Sequence, residues 1–119
     1  MKLKILPPSL REKKRYILFK ILSEEKIELH QFKELFFSTI LSVFGEFGFS
    51  LINAKFLDNI FDRERQVGIL KVHYKKVPEA IFSLGLISRI GDSRVNVKIY
   101  KVSGTIKNLK QNNLKIKKN

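Results

Sequence analysis

The segment RYILFKIL, Arg15 to Leu22, decides the fold because β-branched and aromatic residues run together in it behind a basic, proline-containing lead. Successive side chains of a strand point to opposite faces, and here both faces are apolar. One face carries Ile17, Phe19 and Ile21, and the other carries Tyr16, Leu18 and Leu22. We therefore expect helices on one face of the sheet and a further cover on the other.

The segments that follow this strand predict the order β-α-β-β-α-β. This is an α+β, ferredoxin-like or RRM-like sandwich with two helices on one face of an antiparallel four-stranded sheet. Glycines at 45 and 48 offer the stop of the first helix, and Thr105 is placed to cap a short last helix. The predicted elements are a helix from about Glu28 to Phe44, strands Phe49 to Asp58 and Val67 to Tyr74, a helix from Pro78 to near Gly91, and a strand Val95 to Val102.

The length of 119 residues, 44% of them hydrophobic, predicts one folded domain with terminal extensions. We expect a basic extended lead at 1–14, an RRM-like domain at 15–102, and a basic C-terminal helix with a frayed tail at 103–119. The chain has no cysteine, which excludes disulfides and zinc fingers. No run approaches 18 consecutive apolar residues, so we expect a cytoplasmic protein without a membrane partner.

The net charge of +13 lies entirely at the two ends of the chain. Residues 1–20 carry +6 and residues 98–119 carry +7, whereas residues 21–97 are neutral. Clustered Lys and Arg bind polyanions by releasing condensed counterions, so a nucleic acid is the expected partner. The candidate contacts are Arg11, Lys13, Lys14 and Arg15 before the first strand, and Ser103, Gly104, Thr105, Lys107 and Lys110 at the start of the last helix.

The predicted sheet lacks the aromatic residues on which an RRM stacks bases. The first strand offers Tyr16 and Phe19 on opposite faces, and the third, Val67 to Tyr74, does not match the RNP1 octapeptide. We therefore expect the C-terminal helix or a partner to cover this face, and RNA contacts to come from the basic termini.

The first predicted helix has a second apolar line, Leu35, Phe37, Leu41 and Phe44, which makes its apolar arc wider than one sheet face requires. Two explanations stay open. Either the protein's own loops and C-terminal segment cover this line, or a protein partner does.

No residue pattern indicates catalysis or metal binding by the protein. His30 and His73 have no nucleophile or ligand at a useful spacing. Three acids in the predicted hairpin loop, Asp58, Asp62 and Glu64, are interleaved with arginines, which indicates a solvated loop of mixed charge.

Two terminal motifs carry a family resemblance. The lead LPPSLREKKRYILFK, Leu6 to Lys20, and the segment KVSGTIKNLK, Lys101 to Lys110, resemble archaeal ribonuclease P protein component 2, a relative of the eukaryotic ribonuclease P and MRP subunit. The resemblance implies a non-catalytic subunit of the ribonucleoprotein that removes 5′ leaders from precursor tRNA. It implies that the RNA performs the catalysis with magnesium, and that the protein itself binds no cofactor.

The same resemblance implies two partners, the ribonuclease P RNA and protein component 3, with two copies of each protein and hence a homodimer inside a heterotetramer. Fixed cations of the lead would then support the folded RNA by electrostatic scaffolding. Two alternatives remain: an independent ribosomal or regulatory RNA-binding module, and a small-molecule sensor of the ferredoxin-like type.

Overall fold

The computed structural model describes residues 13–109, and the predicted lead and tail lie largely outside them. Five strands form an antiparallel sheet in the order β2-β3-β1-β5-β4, and the helices α1 and α2 connect them. The α+β ferredoxin-like prediction is confirmed. The elements are β1 Lys14–Ser23, α1 Leu29–Ile52, β2 Lys55–Phe56, β3 Val67–His73, a 3-10 turn Tyr74–Lys76, α2 Val77–Leu86, β4 Arg89–Ile90 and β5 Ser93–Ser103.

β1 is the central strand, paired antiparallel with β3 on one side and with β5 on the other. Its inward residues Ile17, Phe19 and Ile21 are buried in the main core beneath the helices. There the Phe19 ring stacks on Phe32 at 5.5 Å between centroids. The Phe56 ring meets both edge-on, at 5.9 and 5.8 Å, a geometry that aromatic pairs prefer.

The first helix is longer than predicted, because neither Gly45 nor Gly48 ends it. Gly45 has φ 74° and ψ −179°, which bends α1 at that point, and the helix then resumes as far as Ile52. Asn53 ends it in the left-handed conformation, donating its N–H to Phe49 O at 3.2 Å. Glycine reaches a positive φ at little cost, so it bends this helix rather than stopping it.

The predicted second strand, Phe49 to Asp58, is wrong over most of its length. Phe49 belongs to the last turns of α1, where its ring packs against Phe37 at 5.7 Å. Only Lys55–Phe56 pair with β3. Tertiary packing of Phe49 therefore overrides its strand propensity.

The second predicted helix is too long. α2 ends at Leu86, and the sequence beyond it turns back through Gly91, at φ 59°, so that β4 pairs with β5. The resulting hairpin adds a fifth strand to the predicted four. The positive φ at Gly91 is what a tight hairpin turn requires.

The face of the sheet opposite α1 and α2 has a small core of its own. Leu18, Val67, Ile69 and Leu109 are buried together there. Leu109 lies on a helix that begins at Ile106, so the predicted covering by the C-terminal helix is confirmed. The predicted cap is confirmed as well, since Thr105 Oγ1 accepts the Asn108 N–H at 3.4 Å.

By length and composition, α1 is apolar enough to cross a membrane. Its inward face nevertheless supplies Phe32, Phe36, Ile40 and Ile52 to the protein core, and the bend at Gly45 divides it. A helix that packs in this way acts as the core helix of a globular domain.

Candidate nucleic-acid interface

The register of the sheet brings the two predicted basic clusters to one corner. Tyr16 of β1 pairs with Ser103 of β5, so the residues just before one and just after the other are neighbours. A side chain at Gly104 would lie 3.7 Å from the Arg15 Nη1. The arginine therefore lies directly against the backbone that leads into the C-terminal helix.

Three cations surround one aromatic ring at this corner. Lys13 Nζ, Arg15 Cζ and Lys75 Nζ each lie 5.8 Å from the centroid of Tyr74. This distance is within the range of cation–π attraction, which helps to hold positive charges near one another. We call these four residues the Tyr74 cluster. None of them forms an ion pair within residues 13–109.

Backbone contacts fix the geometry of the Tyr74 cluster. The Tyr74 N–H donates to Lys13 O at 3.1 Å, which ties the end of β3 to the entry of β1. His73 Nδ1 accepts the Lys75 N–H at 3.2 Å and so closes the turn that carries Lys75. Arg15 Nη1 donates to Lys14 O at 3.0 Å. The backbone at the cations is thus hydrogen-bonded, at the start of β1 and in the turn that follows β3.

Sequence reasoning missed Tyr74 and Lys75. The sequence pattern predicts Tyr74 at the end of a strand and assigns no role to the two lysines after it. The available signal was the string HYKK, His73 to Lys76, at the end of a strand that runs antiparallel to the basic entry of β1. Antiparallel pairing places the end of one strand beside the start of its neighbour.

The residues after β5 that were candidate RNA contacts differ in their surroundings. Ser103 Oγ accepts the Thr105 N–H at 3.2 Å, and the Thr105 hydroxyl is the helix cap, so both oxygens support local structure while their hydrogens can still be donated. Lys107 is exposed in the first turn of that helix. Arg11 and Lys110 lie outside the described residues. Lys14 is partly buried, opposite His73.

Lysines continue from this corner across the sheet face that the C-terminal helix covers. Directly paired residues of an antiparallel sheet share a face. Lys101 is paired with Leu18, and both Lys98 and Val67 are paired with Lys20. Lys71 is paired with Tyr16. Basic side chains therefore surround the small apolar core at Leu109, a pattern that the sequence analysis did not identify.

The acidic residues of the hairpin loop are occupied within the protein. Glu64 pairs with Lys26 at 2.7 Å, and this hydrogen bond and charge lower the pKa of the Glu64 carboxyl. Asp62 Oδ1 accepts the N–H of Glu64 at 3.0 Å. Asp58 pairs with Lys33 at 3.0 Å. No group of three potential metal-ligating side chains occurs within residues 13–109.

The second apolar line of α1 is divided between core and surface. Leu35, Phe37 and Phe44 pack against the protein's own core, whereas Leu41 is 44% exposed. Phe44 also meets Phe82 of α2 at 6.4 Å between centroids. The large apolar residues left exposed on the two helices are Leu41, Val43, Phe47, Leu51, Phe82 and Leu86.

Comparison with known proteins identifies the family of the chain. The sequence model described as the Rpp14/Pop5 family matches residues 15–114. The chain belongs to this family. The family resemblance drawn from the two terminal motifs is therefore confirmed.

Relatives of the family cover nearly the whole chain. A protein of Pyrococcus furiosus named Ribonuclease P protein component 2 is 40% identical, over 91% of this chain and 88% of its own length. Proteins of the same name are 36% identical in Archaeoglobus fulgidus, over 96% of this chain and all of theirs, and 39% identical in Methanocaldococcus jannaschii, over 98% and 84%.

A solved structure shares the fold of this chain. A chain of the yeast ribonuclease MRP cryo-EM structure superposes with a TM-score of 0.62 at 15% identity. The match covers 88% of this chain and 94% of the yeast chain. At this identity the likeness concerns the fold alone.

Proposed function

We propose that the chain is a protein subunit of ribonuclease P, and that it supports the catalytic RNA during removal of 5′ leaders from precursor tRNA. Membership in the Rpp14/Pop5 family and the names of its relatives support the assignment. The observation that carries the mechanism is the Tyr74 cluster, in which three cations without ion pairs among the described residues meet at the start of β1 and the end of β3.

The cluster is suited to phosphate groups of a folded RNA. Each cation that replaces a condensed counterion of the RNA increases the binding affinity. This contribution becomes smaller as the salt concentration rises. The backbone at Lys13 and Lys75 is hydrogen-bonded, so little backbone entropy is lost when the cations bind. They act where RNA segments of the same charge must approach one another, and they replace part of the diffuse magnesium there. The chemistry belongs to the RNA and its magnesium ions.

The exposed apolar residues of α1 and α2 support protein partners for the same subunit. Phe47 is 77% exposed and Phe82 is 55% exposed, on a helical layer that carries few charges. Such a surface is typical of a protein interface. We assign it to protein component 3 or to a second copy of this chain, as parts of one assembly.

The test is cleavage of a precursor tRNA by ribonuclease P RNA at limiting magnesium, with component 3 alone and then with this chain added. Leader removal is expected to rise when both proteins are present. A variant with Lys13→Gln, Arg15→Gln and Lys75→Gln is expected to need more magnesium for the same rate, because three phosphate contacts are lost.

A matched control variant loses the same number of positive charges in another region of the protein. The variant Lys26→Gln, Lys33→Gln and Arg63→Gln also removes three positive charges, but each of these cations is paired with a carboxylate. It should leave the magnesium requirement near that of the unaltered chain. Equal loss in both variants would refute a specific role for the Tyr74 cluster. RNA binding without any effect on cleavage would favour an independent RNA-binding module.

A further inference from the structure

Two arginines face each other at the end of the sheet farthest from the Tyr74 cluster. Arg89 of β4 pairs directly with Arg94 of β5 in the hairpin that the sequence analysis missed. Directly opposed like charges destabilise an antiparallel pair, so this placement is unfavourable for the isolated protein. Neither guanidinium has an ion pair within residues 13–109.

The two side chains line an open cavity of about 520 Å³. Ser88 and Asn96 supply polar groups, and no carboxylate is among the lining residues. The remaining lining residues are Leu22, Gly85, Ile87 and Val95. A concave site with two guanidinium groups, neutral hydrogen-bonding groups and no acid has the composition of an anion site.

A second cavity is lined by the same two arginines together with Glu24, Glu25 and Asp92. Glu25 accepts a hydrogen bond there from Ser93 Oγ at 3.4 Å. None of these acids comes within ion-pair distance of Arg89 or Arg94 in the described part of the chain. The two arginines therefore border both cavities, and only the cavity of about 520 Å³ is lined without a carboxylate.

We propose that Arg89 and Arg94 form a second phosphate site, which binds a phosphodiester group of RNA. The proposal rests on the proposed function for the identity of the polyanion. In the sheet register, Leu22 beside this cavity and Tyr16 beside the Tyr74 cluster are six residues apart on β1. At about 3.3 Å per residue the two sites are roughly 20 Å apart.

That separation gives the second site a role of its own. Roughly 20 Å spans several nucleotides, so the protein contacts two separate backbone segments of one RNA. A rigid sheet between the two sites fixes the distance between those segments. The arginine pair then contributes to holding the RNA fold, beyond its contribution to affinity.

The first experiment measures binding of the full chain to a ribonuclease P RNA transcript over a range of salt concentrations. The variant Arg89→Gln with Arg94→Gln should reduce the slope of log K against log salt by about one to two. Affinity near physiological salt should fall roughly five- to tenfold or more. Arg89→Lys with Arg94→Lys should keep most of the slope, because it keeps both charges.

Two controls make the result specific. Lys26→Gln with Lys33→Gln removes the same charge from ion-paired positions and should leave the slope nearly unchanged. The Arg89→Gln, Arg94→Gln variant should melt no lower than the unaltered chain at low salt, because it removes a like-charge pair. An unchanged slope in that variant, or an equal fall in the ion-paired control, would overturn the proposal.

Backbone footprinting of the RNA distinguishes this proposal from the proposed function. The arginine variant should lose protection of one RNA segment, and the Lys13, Arg15 and Lys75 variant should lose another. If only the Lys13, Arg15 and Lys75 variant loses protection, the RNA contact of the Tyr74 cluster is supported and the arginine site is refuted. Loss of component 3 binding with normal RNA protection in the arginine variant would also refute it, in favour of a protein contact.

Discussion

The face of the five-stranded sheet beneath α1 and α2 differs from the opposite face in what its side chains do. On the helix-covered face, Phe19, Phe32, Phe36 and Phe56 pack in a continuous aromatic core. On the other face, a small core around Leu18 and Leu109 is surrounded by lysines. Every carboxylate that forms an ion pair in the described residues belongs to the helices or loops.

This difference indicates that the two faces of β1 have different roles. Along β1, every second residue from Ile17 to Ile21 is buried in the apolar core beneath the helices. The residues between them lie on the opposite face, which lysines surround. Stability should therefore depend mainly on the helix-covered face and less on the opposite one. The following predictions test that division.

The largest effect is expected in the aromatic core. Phe32→Ala removes a buried ring that contacts Phe19 and Phe56, and should cost about 3–5 kcal/mol of unfolding free energy. Phe47→Ala is the matched control, because Phe47 is 77% exposed, and should change stability by less than about 0.5 kcal/mol. Urea denaturation measures both. Similar losses for the two rings would contradict the placement of the core.

A smaller effect is expected on the face that the C-terminal helix covers. Leu109→Ala should cost about 2–3 kcal/mol, because it uncovers Leu18 and Ile69. Leu22→Ala, at a half-exposed position on the same face, should cost less than about 1 kcal/mol. Thermal unfolding compares the two. If Leu109→Ala leaves the melting temperature unchanged, the C-terminal helix does not cover this face in solution.

Close packing under the helices gives a third prediction. A Cβ at Gly68 would lie 2.9 Å from both Phe19 and Phe61, so Gly68→Ala should destabilise the protein by about 1–3 kcal/mol. Gly85 lies in α2 with open space around it, so Gly85→Ala should be neutral or stabilise by up to about 1 kcal/mol. Chemical denaturation should give opposite signs, and equal destabilisation would argue against the tight contact at Gly68.

The smallest effect concerns pH. The lowered pKa of Glu64 means that its pairing with Lys26 adds stability above the ordinary Glu pKa, and that this stability is lost as pH falls through the lowered value. Because the carboxyl is exposed, the change should be slight. Comparison of melting temperatures for the unaltered chain and Glu64→Gln should show their difference shrinking as the solution is acidified. A difference that grows on acidification would contradict the sign.

Much of the fold was predictable because it depends on local pattern. The two apolar faces of β1 and the strand that begins at Val67 correctly predicted two paired strands at the centre of the sheet. The cap at Thr105 followed from the preference of a hydroxyl for the start of a helix. The RNA contacts predicted at the charged termini stay a prediction, and Arg11 and Lys110 lie outside the described residues.

The errors occurred where distant contacts outweigh local preference. Gly45 is a common stop signal, but packing of Phe49 on Phe37 continues the helix beyond it. The short strand β4 exists only because β5 is there to pair with it. Neither fact is contained in a window of neighbouring residues.

The sequence by itself determined the α+β order, the apolar faces of β1 and the basic ends of the chain, because each depends on composition or short-range periodicity. Only the tertiary structure decided which cations meet. Lys13 and Lys75 are distant in sequence, and they come together at Tyr74 because β1 and β3 pair antiparallel. Arg89 and Arg94 face each other for the same reason, since strand register, rather than chain proximity, places side chains side by side.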